Sequence, residues 1–235
     1  MAEGLRDWIT VRAAAERLRV SPERVRELVR SGDLEAISPG RDVLVQAEAV
    51  TRRANVIKPT AGRPLSPSMA WAVLSLVSDL KPHWVSSSEL VRARRYARRP
   101  LSEWPRLLAG RAQVHRVRMP GPARKRVRSL TGVAVGGQWA ARLHGANLVL
   151  PEGEPDEWYT TPAAFAALRA MKGIGWQSTS PDVVIHVVPD SLPPAVVAQV
   201  FAEVTVSRGT AAADLLDLGD DRSRRAAAEL LGKVD

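Results

Sequence analysis

The chain has 235 residues, 45% of them hydrophobic and 25% charged, enough apolar material for real cores and too much for wholesale disorder. It has no cysteine, which excludes disulfides, thiolate metal sites and a cysteine nucleophile. The net charge of +9 is unevenly spread: residues 1–130 carry 26 Lys and Arg against 12 Asp and Glu, a net of +14, whereas residues 131–235 carry 8 against 13, a net of −5. A basic front suits a polyanion, through phosphate neutralisation and counterion release. An acidic back would be repelled by DNA and suits a protein partner. The opening MAEGLRDW is charged from its third residue, so no secretory leader is expected. The longest apolar run, residues 69–77, is far too short to span a bilayer. A cytoplasmic chain with no membrane contact is the expectation.

Val11, Ala14, Ala15 and Leu18 fall at i, i+3, i+4 and i+7 and predict a helix with one apolar stripe, capped by Thr10. Ser21 followed by Pro22 reads as the cap and first position of a second helix. Val25, Leu28 and Val29 give that helix its apolar side, and Ser31-Gly32-Asp33 stops it. Residues 34–37 and 43–45 predict two short strands around the turn Ser38-Pro39-Gly40-Arg41. Helix, tight turn, helix and hairpin wing is a DNA-docking layout. Once the apolar stripe is assigned, Glu23, Arg24, Arg26, Glu27 and Arg30 remain on the outer face of the second helix. Arginine can fork onto guanine O6 and N7 or onto phosphate. Ser21 and Glu23 are expected near base edges or phosphates, and Arg41 at the wing tip near a neighbouring phosphate or the minor groove. The competing reading is a solvated amphipathic helix.

The segment ITVRAAAERLRVSPERVRELVRSGDLEA with its following hairpin resembles the excisionase and MerR-type DNA-binding domains. That resemblance implies a winged helix-turn-helix over about the first fifty residues, and says little about operator sequence.

Further along, residues 47–54 predict a short helix that closes a first domain, 1–57. Residues 58–67, KPTAGRPLSP, read as a linker. A buried helix follows over 68–78. Ser86 with Glu89 fits a capping box and opens a helix to about residue 99 that carries Arg92, Arg94, Arg95, Arg98 and Arg99. Residues 101–112 look helical, 113–119 alternate like a strand, and 121–129 predict a second basic helix with Arg124, Lys125, Arg126 and Arg128. Arg92, Arg95, Arg99, Arg124 and Arg126 are candidates for extra phosphate contacts. A solvated or salt-bridged face fits them equally, since Tyr96 is the one base-stacking residue among them.

After residue 130 the pattern turns mixed. A strand and turn over 132–137, a helix over 138–144 and a strand at 158–160 lead to a helix over 162–171. The β-branched run 182–188 predicts a strand, and 194–206, 211–218 and 221–231 predict helices. The expected fold class is α+β: a winged helix-turn-helix at 1–57, a basic, mainly helical middle region at 68–130, and an acidic, mixed α+β domain at 131–235.

Catalytic signals are few. No phosphate-binding loop and no paired-histidine zinc motif occur. The glycines of residues 132–137 read as a turn before a phosphate cradle. His83, His115, His144 and His186 share no ligand spacing, and His186 reads as a satisfied core residue. Asp214, Asp217, Asp220 and Asp221 lie near Arg222, Arg224 and Arg225, which suggests capping and salt bridging of the last helix before a metal or an acid–base pair. Neither catalytic residues, metal nor cofactor are expected, and the chain reads as a binding protein rather than an enzyme.

Four later segments, GRPLSPSMAWAVLSL, WAARLHGANLVLP, SPDVVIHVVPD and AAADLLDLGDDRSRRAAAELL, resemble AbiEi-type antitoxins of bacterial abortive-infection systems. A branch of that family opens with an excisionase-like reader. The resemblance implies an autorepressor that binds its own promoter through the front domain and neutralises a nucleotidyltransferase toxin, directly or through its substrate. The acidic stretch 131–235 is expected to carry the antidote activity. Because one reader covers a half-site, a homodimer on an operator repeat in double-stranded DNA is expected. The alternative is a stand-alone excisionase- or MerR-like regulator or architectural protein.

Overall fold

The stripe at Val11, Ala14, Ala15 and Leu18 is the buried side of α1 (Val11–Leu18), and Thr10 accepts the Ala13 amide at 3.2 Å in the capping position. α2 (Pro22–Arg30) begins at Ser21, whose hydroxyl accepts the Arg24 amide at 3.2 Å, with Pro22 in the first turn. In this computed structural model the described residues are 8–18, 20–38, 42–56, 63–150, 153, 155–176, 178 and 180–233, with backbone alone for 52–56. The chain divides into two compact units, residues 1–61 and 62–235.

In the first unit β1 (Trp8–Thr10), β2 (Ala36–Ile37) and β3 (Leu44–Gln46) form an antiparallel sheet in the order β1-β3-β2. The first wing strand is shorter than the expected 34–37. Leu34 is 3% exposed and its amide bonds to the Leu28 carbonyl at 3.1 Å, so it closes the turn after α2 instead of pairing. β1 has no period of its own in so short a run, and Thr10 ends it while capping α1. α3 (Ala47–Val56) follows β3 directly. Val11, Ala14, Ala15, Leu18, Val25, Leu28, Leu34, Val45 and Val50 make a core confined to this unit. Residues 39–41, with the expected wing-tip Arg41, and residues 58–62 of the expected linker lie outside the described residues. The rest of that linker is part of the second unit: Leu65 N–H donates to the Leu107 carbonyl at 3.0 Å, and Ser66 caps the next helix.

The second unit runs, in chain order, α4 (Pro67–Leu76), α5 (Ser87–Ala97), α6 (Trp104–Leu107), β4 (Gln113–Val117), α7 (Gly121–Arg128), β5 (Val133–Val135), α8 (Gly137–Leu143), β6 (Asp156–Thr160), α9 (Pro162–Arg169), β7 (Val183–Val187), α10 (Pro194–Val200), α11 (Arg208–Leu218) and α12 (Asp221–Leu230). Its sheet has the order β4-β7-β6-β5. β6 and β7 are parallel, with α9 in the crossover between them, and the other two pairings are antiparallel. One face of the sheet, with Val117, Trp158, Val183 and Ile185, packs on α7 and α9 through Val127 and Leu168. The other face presents Tyr159 and Ala134 to a larger core from α4, α8, α11 and α12. α4 is apolar on every side because it is buried on every side, from Met69 to Ser75.

The boundary expected at residue 130 is therefore corrected: strands and core residues from both sides of it build one sheet and one core. The physical reason is strand pairing and shared apolar burial, β4 on β7 and α4 in one core with α11, with ion pairs across the join. Arg124 pairs with Asp156 at 3.1 Å and Asp182 at 2.6 Å, Arg128 with Asp156 at 3.2 Å, and Asp79 with Arg208 at 2.7 Å. The basic and acidic halves satisfy one another inside a single fold. The first unit carries 11 basic and 9 acidic residues and the second 23 and 16, so most of the excess positive charge sits outside the helix-turn-helix.

Two expected helices also differ. Residues 101–112 break into a 3-10 turn, α6 and a second 3-10 turn, Ala109–Arg111, where Pro105 and Gly110 interrupt the run. The helix expected over 194–206 stops at Val200. The Val135 amide bonds to the Val204 carbonyl at 2.8 Å and the Val206 amide to the Val135 carbonyl at 2.9 Å, so residues 204–206 lie beside β5. Their alternating valines fit a strand as well as a helix, and the sheet edge decides.

Candidate functional site

Val25 and Leu28 anchor α2 to the first unit's core, which turns Ser21, Glu23, Arg24, Arg26, Glu27 and Arg30 to solvent. These side chains are not independent. Arg24 Nη1 meets Glu27 Oε2 at 2.7 Å, Arg26 Nη1 meets Glu23 Oε2 at 3.2 Å, and Arg30 Nη2 meets Glu23 Oε1 at 3.0 Å. Exposed pairs of this kind contribute at most about 1 kcal/mol, so a phosphate or a guanine edge can displace them. Glu23 contacts two arginines at once.

Residues 8–55 match the family model of a helix-turn-helix domain. The first unit is thus a helix-turn-helix DNA-binding region. No curated protein and no solved structure matches the chain. Among the described residues no helix is long and apolar enough to cross a membrane.

The arginines outside the helix-turn-helix divide into two kinds. Arg92 and Arg99 are exposed and lie 3.7 Å from Glu89 and 3.5 Å from Glu103. Arg95 is exposed and lies 5.8 Å from the Tyr96 ring centroid, and Arg126 is exposed as well. Arg124 is different: half-buried, it holds Asp156, Asp182 and the Met119 carbonyl, and its role is to tie α7 to β6 and β7.

A second constellation lies in the core of the second unit. Arg111, 3% exposed, donates through Nε to Tyr159 Oη at 2.9 Å, and through Nη2 to Asp214 Oδ1 at 2.8 Å and Asp217 Oδ2 at 2.5 Å. Tyr159 in turn donates to Asp214 Oδ1 at 2.7 Å. The Gly137 amide donates to Asp214 Oδ2 at 2.9 Å. His186 Nε2 lies 2.9 Å from Glu157 Oε2, and its ring stacks on Tyr159 with centroids 4.5 Å apart. Sheet register produces this meeting: Tyr159 sits directly opposite His186 on neighbouring parallel strands. Burial raises the Tyr159 hydroxyl well above its ordinary range, against the pull of Arg111, so it remains a donor. Burial also raises the Glu157 carboxyl, with the His186 hydrogen bond pulling the other way. For Arg111 burial works against the cation, and Asp217, Tyr159 and Asp214 more than restore it.

The sequence reading of these residues needs correction. Asp220 and Asp221 do serve α12: Asp220 accepts the Ser223 amide at 2.8 Å, and Asp221 pairs with Arg224. Asp214 and Asp217 instead face Arg111, 103 and 106 residues away in sequence. Their signal was available, since two aspartates three apart in an Ala- and Leu-rich helix share one face. One of these glycines does hold an anion, since the Gly137 amide meets the protein's own Asp214 carboxylate, whereas the Gly136 amide bonds to the Glu157 carbonyl. A Cβ on Gly137 would lie 2.5 Å from Glu157 Cδ, and φ there is +62°, so close approach and backbone conformation both call for glycine. His186 is not fully satisfied: its buried Nδ1 has no partner among the described residues.

Proposed function

We propose that the chain is a DNA-binding antitoxin and autorepressor, a binding protein rather than an enzyme, that acts in the cytoplasm. The observation that carries this reading is the pairing of a helix-turn-helix unit with a second unit that has its own core and is nearly three times as long. Excisionase-like factors that only bend or mark DNA need little beyond the reader. The segments that resemble AbiEi-type antitoxins supply α4, α8, β7 and the α11–α12 pair. They are the elements that frame the second unit's core and bring His186, Asp214 and Asp217 together, so the resemblance falls on its structural heart.

In this reading α2 reads one half-site through Arg24, Arg26 and Arg30. A homodimer places a second copy about one helical turn away on an operator repeat. The exposed Arg92, Arg95, Arg99 and Arg126 add phosphate contacts without sequence readout. The second unit neutralises a nucleotidyltransferase toxin encoded beside it. The acidic stretch 131–235 is not a separable antidote, because its strands need β4 and its helices need α4; the whole of residues 62–235 carries that role.

The test uses the full chain. Wild type and an Arg24→Ala/Arg26→Ala/Arg30→Ala variant are expressed from a foreign promoter together with the neighbouring reading frame. Both should restore growth, and only wild type should silence a reporter driven by the native promoter. Silencing without rescue would remove the toxin from the reading and leave the alternative, a regulator of the excisionase or MerR kind. Rescue without silencing by wild type would remove autorepression.

A further inference from the structure

We propose that Glu157, His186 and Asp214 form a binding site for a divalent transition-metal cation such as Zn²⁺ or Mn²⁺. One donor comes from each of β6, β7 and α11, and a carboxylate oxygen of Glu157, a ring nitrogen of His186 and a carboxylate oxygen of Asp214 all lie within 4.8 Å of one another. One imidazole with two carboxylates is a donor set suited to these cations. The inference is independent of the antitoxin reading.

Three observations support it. The first is charge. Asp214 and Asp217 share the one guanidinium of Arg111, and Glu157 lies beside Asp214 and His186, so three carboxyl groups stand near a single fixed cation. The Asp214 and His186 side chains are 0% and 5% exposed and that of Glu157 13%, and buried carboxyl groups are either neutralised by protons or paired with a cation. The second is open coordination. Asp214 Oδ1 is taken by Arg111 and Tyr159, whereas Oδ2 accepts the Gly137 amide alone among the described residues, which leaves it room for a further partner. The third is the histidine: its side chain is 5% exposed and its Nε2 faces Glu157 Oε2 at 2.9 Å, which aims a buried ring nitrogen into the cluster. A cation between those two groups replaces the proton that they share, and that proton goes to solvent.

The glycines fit the same account. Only a residue without a Cβ at 137 lets the backbone come down on the Glu157 carboxylate, which holds that carboxylate toward Asp214. The near-complete enclosure of the donors points to a staple across β6, β7 and α11 rather than an open catalytic position.

The test is uptake by the full-length protein, stripped with chelator and then titrated with Zn²⁺, Mn²⁺ and Co²⁺ by calorimetry. One of them should bind at about one equivalent per chain. At a free concentration about 100-fold above Kd the melting temperature of the second unit should rise by about 5–10 °C. Co²⁺ should give a visible absorption band that reports nitrogen and oxygen ligation. Glu157→Gln should weaken binding by about tenfold or more, and Asp217→Asn, outside the donor set, should leave the stoichiometry unchanged. Circular dichroism shows whether each variant is folded. If stripped wild-type protein takes up none of the three cations and its melting temperature stays put, the proposal is wrong and the cluster is balanced by protons. Equal binding by a folded Glu157→Gln variant would also overturn it, by placing the cation elsewhere.

Discussion

Replacing Arg111 with methionine should unfold the second unit well before the first. The methionine keeps most of the side chain's length and removes its charge. Arg111 is 3% exposed and makes three side-chain hydrogen bonds, to Tyr159, Asp214 and Asp217. Without it, Asp214, whose side chain is 0% exposed, is left without its cation. Breaking one partner of a buried pair costs about 3–5 kcal/mol. For a unit of residues 62–235, each kcal/mol moves the melting temperature by about 2–4 °C, so the expected drop is about 6–20 °C. Calorimetry of the full chain reads it, and operator binding by the helix-turn-helix at low temperature should be unchanged. The Arg111→Met/Asp214→Asn double variant decides the cause. If uncompensated charge is what hurts, the double variant loses less than the two singles summed, by about 0.5–3 kcal/mol. Simple additivity, or a drop in Arg111→Met under about 3 °C, would refute the reasoning and reduce the cluster to ordinary packing.

On α2, Arg26→Ala should weaken operator binding by about 1–3 kcal/mol. Glu23→Gln should tighten it by up to about fivefold, because it frees Arg26 and Arg30 from exposed ion pairs; a mobility shift in which Glu23→Gln weakens binding instead would make Glu23 a DNA contact and not a clasp. Gly209→Ala should cost about 1–3 kcal/mol, since its Cβ would lie 2.5 Å from Val77 Cγ2 and 2.6 Å from the Leu74 carbonyl; a melt identical to wild type would mean that α4 and α11 part easily. Burial raises the Asp220 carboxyl, but hydrogen bonds from the Ser223 amide and hydroxyl outweigh it and its pKa is lowered overall. A lowered folded pKa stabilises above the unfolded value and is lost as pH falls through the folded one. Asp220→Ala should therefore cost about 1 kcal/mol at pH 7, with the gap to wild type narrowing as pH falls below the unfolded carboxyl value of about 4; a gap that does not change with pH would contradict the role of the capping carboxylate.

What the sequence disclosed was local. Val11, Ala14, Ala15 and Leu18, the Ser21-Pro22 start and the Ser86–Glu89 box each state their structure within a few residues, so α1, α2 and α5 were legible to within a residue or two. The β-branched run 182–188 likewise announced β7. What it concealed was non-local. Nothing near Arg111 indicates that its partners stand on α11, and nothing near His186 indicates that Tyr159 lies opposite it. The charge switch near residue 130 is real, but charge alone does not distinguish two surfaces that seek different partners from two surfaces that seek each other. Asp156 and Asp182 against Arg124 show the second case.

The span between Arg111 and its aspartates also orders events in time. On a ribosome that adds about 5–20 residues per second, the 103 residues that separate Arg111 from Asp214 take roughly 5–20 s to appear. The helix-turn-helix, with a core drawn wholly from residues 11–50, is complete before that interval begins. The sheet is complete only once β7, residues 183–187, has appeared, and until α11 follows it the carboxylates that neutralise Arg111 are still missing. A product that terminates inside the interval would keep its DNA reader and lose everything that the second unit supplies.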